Sequence, residues 1–269
     1  MNFLVLLLVG LILLWSPWRR GYPRDLLASW VSRAVNLGRG WRSVLAVLSL
    51  LLPAALLLWL ARGLAYGFFT LLLHVALLLC CVGRQDPLRS MTAGFAAAWQ
   101  RDDQAAAALV AEQQLGVVDE DGAGLLRRVS QRMAAASLQD YFAPAFWYLL
   151  LGPLGALAYR LLELTRQQWE HSASPPAGIL VHALEWIPAR LLALSLALVG
   201  QYDHTLRALR GQAAVWEISG GELVSRCAAA ALTPPAAEAG IALLEETRQL
   251  MIRALLAWAV IIAFLSLLG

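Results

Sequence analysis

The stretch VLAVLSLLLPAALLLWLA at residues 44–61 is followed, after only Arg62 and Gly63, by LAYGFFTLLLHVALLLCCV at residues 64–82. Each run has the length that a helix needs to cross a bilayer, about 17 to 25 residues. Because a two-residue connection joins antiparallel neighbours, the pair predicts a transmembrane helical hairpin. Pro53 is expected to kink the first helix. The two runs therefore indicate a membrane protein.

The composition of the 269-residue chain agrees with this, since 60% of the residues are hydrophobic and only 14% are charged. Soluble domains carry roughly 25% charged residues. Further apolar runs lie at residues 3–15, 141–162, 178–199 and 251–268. The first lacks a preceding positive charge and a small-residue cleavage site, so we interpret it as a retained anchor. We predict an all-α, polytopic helical membrane protein with five or six transmembrane helices, depending on whether residues 3–15 span.

The arginines between the apolar runs predict the orientation of the chain. Residues 16–43 contain six arginines, residues 83–140 contain six more, and residues 201–249 contain four. Because cytoplasmic loops are enriched in Lys and Arg, we expect these segments to be cytoplasmic parts of one membrane domain, residues 1–269. Residues 160–174 are expected on the periplasmic side. The sequence thus predicts a multi-pass protein of a bacterial inner membrane with a periplasmic N-terminus.

The polar segments also contain signals for short helices. Asp86 before Pro87 is typical of a helix start, because the carboxylate caps free N–H groups and proline suits the first turn. Thr233 before Pro234 indicates another start. We expect amphipathic helices at residues 88–100, 103–115 and 125–138, with a turn at 119–122.

Two apolar runs contain glycine or proline, which membrane helices tolerate where neighbouring helices cover the exposed backbone groups. Residues 141–162 contain Gly152 and Pro153, which predict a broken helix. Residues 178–199 contain Pro188, which is expected to break a second one.

The residue types exclude several functions. Every one of the 21 basic residues is Arg, so a Walker A lysine and a Schiff-base lysine are absent. The arginines lie beside apolar runs without a nucleic-acid reading motif, so we expect no nucleic-acid partner. Cys80, Cys81 and Cys227 form no CxxC pair and the four histidines have no zinc spacing, so no metal or cofactor is expected. A metal held by carboxylates alone stays open.

Glu185 and Arg190 are ionisable residues inside an apolar run, in the sequence EWIPAR. A charge at the centre of a membrane helix costs about 2.5 to 3.5 kcal/mol on insertion scales, so each side chain needs a partner or water. In one interpretation they line a polar cavity at which Pro188 frees backbone groups for a ligand. In the other, the span is shifted and the two charges are paired locally near its periplasmic end.

Two candidate sets of site residues follow. Arg160 would lie on the same side of the membrane as Glu185 and could pair with it. The predicted ligand-binding set is Tyr159, Arg160, Glu185, Trp186, Pro188 and Arg190. The cytoplasmic charged set is Asp86, Arg89, Arg101, Asp102 and Asp103. Its carboxylates suit a divalent cation, but solvated helix caps are the favoured interpretation.

Three blocks carry a family resemblance: YFAPAFWYLLLGPLGALAYR at residues 141–160, EWIPARL at residues 185–191, and, more weakly, DPLRSMTAGFAAAWQRDD at residues 86–103. In these blocks the chain resembles the AmpE family, which is related to the cobinamide-phosphate synthases known as CobD or CbiB. AmpE-like proteins are associated with a cytoplasmic amidase of muropeptide recycling and with β-lactamase induction. The resemblance implies a regulatory, signalling role, with the lipid bilayer and a cytoplasmic or membrane protein as partners.

The chain departs from the synthase pattern at its polar positions. Where that pattern has Asp, Glu or Asn, this chain has Ala135, Ala136, Gln139, Glu163, Arg166, Val181 and His182. The carboxylates that would hold magnesium and nucleotide are therefore mostly missing. The resemblance thus implies that no residue here is catalytic.

Two alternatives stay open. One is a residual ATP-dependent ligase of the synthase type, which would use magnesium and ATP. The other is a small transporter or sensor of cell-wall fragments, motivated by Glu185 and the broken helices. A homo-oligomer is compatible with each of these hypotheses.

Overall fold

The computed structural model describes residues 2–15, 26–36, 40–61, 67–82, 86–119, 121–169, 175–232 and 240–268. Within these ranges all regular secondary structure is helical and no β-strand occurs. The all-α prediction is therefore confirmed.

The described ranges contain thirteen α-helices: α1 Asn2–Trp15, α2 Leu26–Val35, α3 Trp41–Leu48, α4 Leu51–Leu60, α5 Phe68–Cys81, α6 Ala93–Gln100, α7 Gln104–Val110, α8 Gly122–Ser137, α9 Ala143–Trp169, α10 Pro175–Val199, α11 Tyr202–Arg210, α12 Gly220–Ala231 and α13 Ala242–Leu268. Turns of π-helix, Ala111–Leu115 and Leu138–Phe142, follow α7 and α8.

Among the described residues, four helical stretches are long and apolar enough to cross a membrane: Trp41–Leu60, Gly122–Gln168, Pro176–Val199 and Ala242–Ser266. Two shorter apolar helices are Phe3–Leu13 and Phe68–Cys81. These stretches correspond to the six apolar runs of the sequence, and they agree with a polytopic membrane protein. The connection at residues 62–66, on which the predicted hairpin depends, lies outside the described residues.

The chain divides into two compact units. Unit 1 comprises residues 1–84, 143–185 and 262–269, and unit 2 comprises residues 85–142 and 186–261. In unit 1 the helices α1 to α5 all pack against α9. The first half of α10 joins them through an apolar cluster of Val44, Leu162, Ala177 and Val181.

Unit 2 is built around α8, which buries Val129 and Met133. Helix α6 adds Phe95 to the same core, and the alanine-rich α7 packs closely beside it. Helix α13 is tied to α8 by a hydrogen bond of 2.7 Å between the hydroxyls of Ser130 and Thr247. The short helices predicted in the polar segment therefore bury their apolar faces against each other.

Pro53 interrupts its helix as predicted. The break between α3 and α4 precedes Pro53, which lacks the N–H that would bond the carbonyl of Ser49, four residues earlier. That carbonyl instead accepts from the N–H of Leu52 at 3.1 Å.

Gly152 breaks α9, which the sequence also predicted. Its φ of 70° and ψ of −162° lie in a region that only glycine adopts readily. Pro153 follows directly, where its missing N–H costs little because a helix begins anew. The break is therefore encoded by two adjacent residues.

The helix starts of unit 2 are only partly as predicted. Helices α7 and α8 begin at aspartate caps, since Asp103 accepts from the N–H of Ala106 and Asp121 from that of Gly124. The start at residue 88 is wrong: Asp86 caps a turn by accepting from Leu88 N–H at 2.9 Å, and α6 begins only at Ala93. The predicted start at Thr233 and Pro234 lies outside the described residues.

Residues 160–169 continue helix α9, which packs against α2. The Gln168 side-chain amide donates to the carbonyl of Ala28 at 3.2 Å. The end of α9 is therefore in contact with α2 in unit 1. That residues 16–43 face the cytoplasm and residues 160–174 the periplasm stays a prediction.

We predict that cysteines introduced at Arg33 and Gln168 react with a membrane-impermeant maleimide from the same side of sealed vesicles. Both side chains are exposed, and both lie on the helices that this contact joins. Cys227 should contribute little background labelling, because its side chain is fully buried. Labelling from opposite sides would contradict the packing of α2 on α9.

Replacing Gly152 by alanine is expected to destabilise the protein by about 1 to 3 kcal/mol, through backbone strain alone. A Cβ at this position would meet nothing within 4 Å. Gly178→Ala is the matched control, because it lies in α10 with equal space and no positive φ. The melting temperature in detergent should fall for Gly152→Ala and stay constant or rise for Gly178→Ala; equal melting temperatures would refute the strained break.

Candidate functional site

Glu185 is buried in unit 1, with 4% of its surface exposed. The hydroxyl of Tyr159, itself fully buried on α9, donates to Glu185 Oε1 at 2.9 Å. Intramembrane ionisable residues are costly and therefore need such partners. The requirement for a partner was predicted from the sequence, and the structure identifies Tyr159 as one.

A second buried carboxylate is that of Glu163, one helical turn after Tyr159 on α9. Glu163 has no exposed surface, and it accepts hydrogen bonds from Arg166 Nε at 2.8 Å and Nη2 at 2.7 Å. Gln167 Nε2 donates to the same carboxylate at 3.0 Å. The residues that satisfy Glu163 therefore include two from its own helix.

We name two hydrogen-bonded pairs together the polar cluster: Tyr159 with Glu185, and Glu163 with Arg166. Arg160, the residue after Tyr159 on α9, is also buried, and we include it by its place in the helix. All of them are on α9 or the first half of α10. Sequence reasoning did not identify Glu163 and Arg166 as site residues, although charges so close to an apolar run were an available signal. Chemically, the cluster presents carboxyl, phenol and guanidinium groups, which can exchange hydrogen bonds with a polar ligand or a proton carrier.

Arg190 and Trp186 belong to unit 2, where they hold a loop. Arg190 donates from Nε to the carbonyl of Ala213 at 2.6 Å, and from Nη2 to that of Val215 at 2.9 Å. Its Nη1 donates to the carbonyl of Trp186 at 2.9 Å, and its guanidinium lies 3.9 Å from the centre of the Trp186 ring. We therefore interpret Arg190 as a clamp on residues 211–219.

Pro188 does not break α10, which continues from Pro175 to Val199, so that prediction is wrong. Proline still removes the N–H that would bond the carbonyl four residues earlier, that of Leu184. In unit 1 the indole N–H of Trp147 donates to this carbonyl at 3.1 Å. A tertiary hydrogen bond thus replaces the missing helical one.

In the charged set that was predicted to be cytoplasmic, Asp86 caps a turn and Asp103 caps α7. Asp86 Oδ1 also accepts from the Tyr141 hydroxyl at 2.7 Å, and Arg101 Nε donates to the carbonyl of Ala97 at 3.1 Å. Asp102 has a φ of 59°, as expected at a tight connection between two helices. Across the described residues, no three His, Cys, Asp or Glu side chains converge as a metal site would require.

Fold and site together define a polytopic helical membrane protein that carries buried, hydrogen-bonded ionisable residues on two of its apolar helices. Residues 25–269 match the family model described as regulatory signalling modulator protein AmpE. The chain belongs to the AmpE family.

Three similar proteins extend this result. CobD of Stutzerimonas stutzeri, a cobalamin biosynthesis protein, is 29% identical over 210 residues, which cover 72% of this chain and 67% of that protein. CobD of Chromobacterium violaceum is 28% identical over 188 residues, covering 65% and 58%. Protein AmpE of Shigella flexneri is 29% identical over 166 residues, covering 57% and 58%.

The chain thus spans between 58% and 67% of the length of these curated relatives. No solved structure matches it.

Tyr159→Phe is expected to lower the free energy of unfolding by about 1 to 3 kcal/mol, because it removes a donor from a buried carboxyl group. Tyr202→Phe is the control, since Tyr202 is exposed at the start of α11. Thermal unfolding in detergent measures both effects. If the two variants melt together, the Tyr159–Glu185 hydrogen bond does not contribute to stability.

Proposed function

We propose that this protein is a regulatory protein of a bacterial inner membrane that modulates β-lactamase induction in connection with muropeptide recycling. The observation that carries this proposal is the family match across residues 25–269. The similarity to protein AmpE of Shigella flexneri supports it. The six arginines of residues 16–43 support a periplasmic N-terminus, and labelling of Arg33→Cys from the cytoplasm tests that orientation.

The polar cluster gives this role a physical basis. The Tyr159–Glu185 hydrogen bond joins α9 to α10 in unit 1, so the packing of the two helices depends on the state of one carboxyl group. A ligand or partner that binds one arrangement more tightly shifts the population toward it. The cluster is therefore our proposed sensing site.

Unit 2 carries the surface that we assign to a protein partner, cytoplasmic or within the membrane. Its exposed side chains include Arg128 on α8, which is paired with Asp119 at 2.7 Å, and Arg207 on α11, whose Nε donates to the carbonyl of Asp203 at 3.1 Å. Arginines present planar, multiple donors that suit carboxylates of another protein.

The similarity to CobD raises ligase activity as a second candidate, but the residues do not fit magnesium and a nucleotide. Ala135, Ala136 and Val181 are buried small or apolar side chains at three of the altered positions. A fourth, Glu163, is held by Arg166. We derive no ligase step from this site; binding of magnesium-ATP to the purified protein would reopen the question.

Glu185→Gln is expected to impair regulation without loss of the protein from the membrane. The host would be a bacterium with an inducible β-lactamase whose own AmpE-family protein has been deleted. Wild-type protein should restore the normal β-lactamase activity after exposure to an inducing β-lactam. With the Glu185→Gln variant, the β-lactamase activity should differ several-fold from the value with the wild-type protein. The reason is that the amide cannot ionise, so Tyr159 no longer donates to a carboxyl group.

The matched control for that experiment is Glu112→Gln, which alters an exposed glutamate following α7. Immunoblotting of membranes must show equal amounts of all variants. Unchanged induction after deletion of the protein would refute the proposed function, whereas normal induction with Glu185→Gln would refute only the sensing site.

A further inference from the structure

The exposed charge of unit 1 lies on two adjacent helices, α2 and α3. Among the described residues of this unit, the arginines are Arg33, Arg42, Arg160 and Arg166, and the only carboxylates are those of Glu163 and Glu185. Both carboxylates and Arg160 are buried, and Arg166 is bound to Glu163. Arg33 on α2 and Arg42 on α3 are exposed. The described surface of unit 1 therefore carries two unpaired positive charges and no exposed carboxylate.

Both guanidinium groups are available to a partner outside the chain. Neither Arg33 nor Arg42 forms a hydrogen bond or an ion pair through its side chain with any residue that the structure describes. On a helix, such a partner would lie three or four positions away. Those positions around Arg33 and Arg42 contain no Asp or Glu. The two charges are thus not neutralised by their own helices.

Arg42 lies at one end of a stretch that is long enough to cross the hydrocarbon of a bilayer. Residues 43–61 contain no charged side chain, and Trp41–Leu60 is a candidate membrane span. As a helix, residues 43–61 would extend about 28 Å, which is close to the roughly 30 Å of bilayer hydrocarbon. Trp41 is exposed, and tryptophan is enriched where hydrocarbon meets the headgroups. The start of α3 is therefore at headgroup level.

Helix α2 lies at the same end of unit 1. Val44, near the start of α3, packs in one cluster with Leu162 of α9. From Leu162, α9 continues to Gln168, about 9 Å further along its axis. There the Gln168 side-chain amide donates to the carbonyl of Ala28 on α2, and α2 also packs against α3. Helix α2 is consequently just beyond the end of the apolar span.

At this level α2 turns a polar face outward. Its buried residues are Leu27, Val31 and Ala34, and its exposed residues include Ser29, Trp30, Ser32 and Arg33. Trp30 precedes Arg33 by three positions, so the two side chains are neighbours on the helix. The same two residue types recur at the start of α3, as Trp41 and Arg42. Two tryptophans and two arginines therefore mark one end of unit 1.

We propose that the exposed face of α2 and the start of α3 bind anionic phospholipid, with Arg33 and Arg42 on headgroup phosphates. A guanidinium presents paired donors that match the oxygens of a phosphate. Two unpaired positive charges attract lipids of net negative charge. The described surface of unit 1 offers no carboxylate to the ammonium group of a zwitterionic lipid. The proposal is independent of the regulatory function.

Native mass spectrometry of the full-length protein in detergent measures this selectivity. The probes are phosphatidylglycerol and phosphatidylethanolamine with identical acyl chains, so that a difference in affinity reports the headgroup. The wild-type protein should bind phosphatidylglycerol several-fold more tightly than phosphatidylethanolamine. The double variant Arg33→Gln with Arg42→Gln should bind the two lipids equally, and each single variant should retain part of the preference.

Arg101→Gln with Arg210→Gln is the matched control, because it removes the same charge from two exposed arginines of unit 2. This control should keep the wild-type preference. Equal losses in both double variants would overturn the proposal, since the attraction would then follow net charge alone. A preference that survives Arg33→Gln with Arg42→Gln would overturn it as well.

The wild-type protein keeps the test decisive if the double variant does not fold. Salt screens exposed charges, so added ammonium acetate should weaken the binding of phosphatidylglycerol and leave that of phosphatidylethanolamine unchanged. Equal binding of the two lipids at low salt would contradict the proposal. Displacement of phosphatidylglycerol by an equal concentration of inorganic phosphate would also contradict it, because the surface would then bind free phosphate rather than lipid.

Discussion

A bilayer interior has no water for the backbone, so each carbonyl and N–H at that depth must find its partner within the protein. The contact between Trp147 and Leu184 shows how this constraint acts on the chain. Pro188 deprives the carbonyl of Leu184 of its helical donor, and the Trp147 indole, 37 residues earlier, supplies the replacement at 3.1 Å. The contact also holds α9 to α10 in unit 1. Satisfying one carbonyl therefore helps to position the helices that carry the polar cluster.

The two buried carboxylates of that cluster differ in where their hydrogen-bond partners lie. Glu163 receives both guanidinium bonds of Arg166 from its own helix, so this pair is formed wherever α9 is helical. The hydrogen bond of Glu185 to Tyr159 instead requires two helices to be packed correctly. A group whose interaction depends on tertiary packing can report a change in that packing. Glu185 is for this reason a better candidate for sensing than Glu163.

The sequence predicted those features that local chemistry determines. Hydropathy located the apolar helices, Gly152 with Pro153 located the break in α9, and Asp103 located the start of α7. The error at Pro188 occurred where a distant residue decides, because Trp147 donates to the carbonyl that the proline leaves without its helical donor. Periodicity and charge counting contain no information on such contacts.

Contacts between helices also explain why single substitutions would not restore the polar side chains of the synthase pattern. Ala135 lies buried on α8, opposite Gly221 of α12, where an added Cβ would come within 3.2 Å of that of Ala135. A carboxylate at position 135 would need space that α12 already occupies, and its burial without a partner would be unfavourable. Val181 is enclosed by Val44 and Leu162, so an aspartate there would have only apolar neighbours in that cluster. The packing around positions 135 and 181 therefore accommodates small and apolar side chains, and it leaves no room for the carboxylates of the synthase pattern.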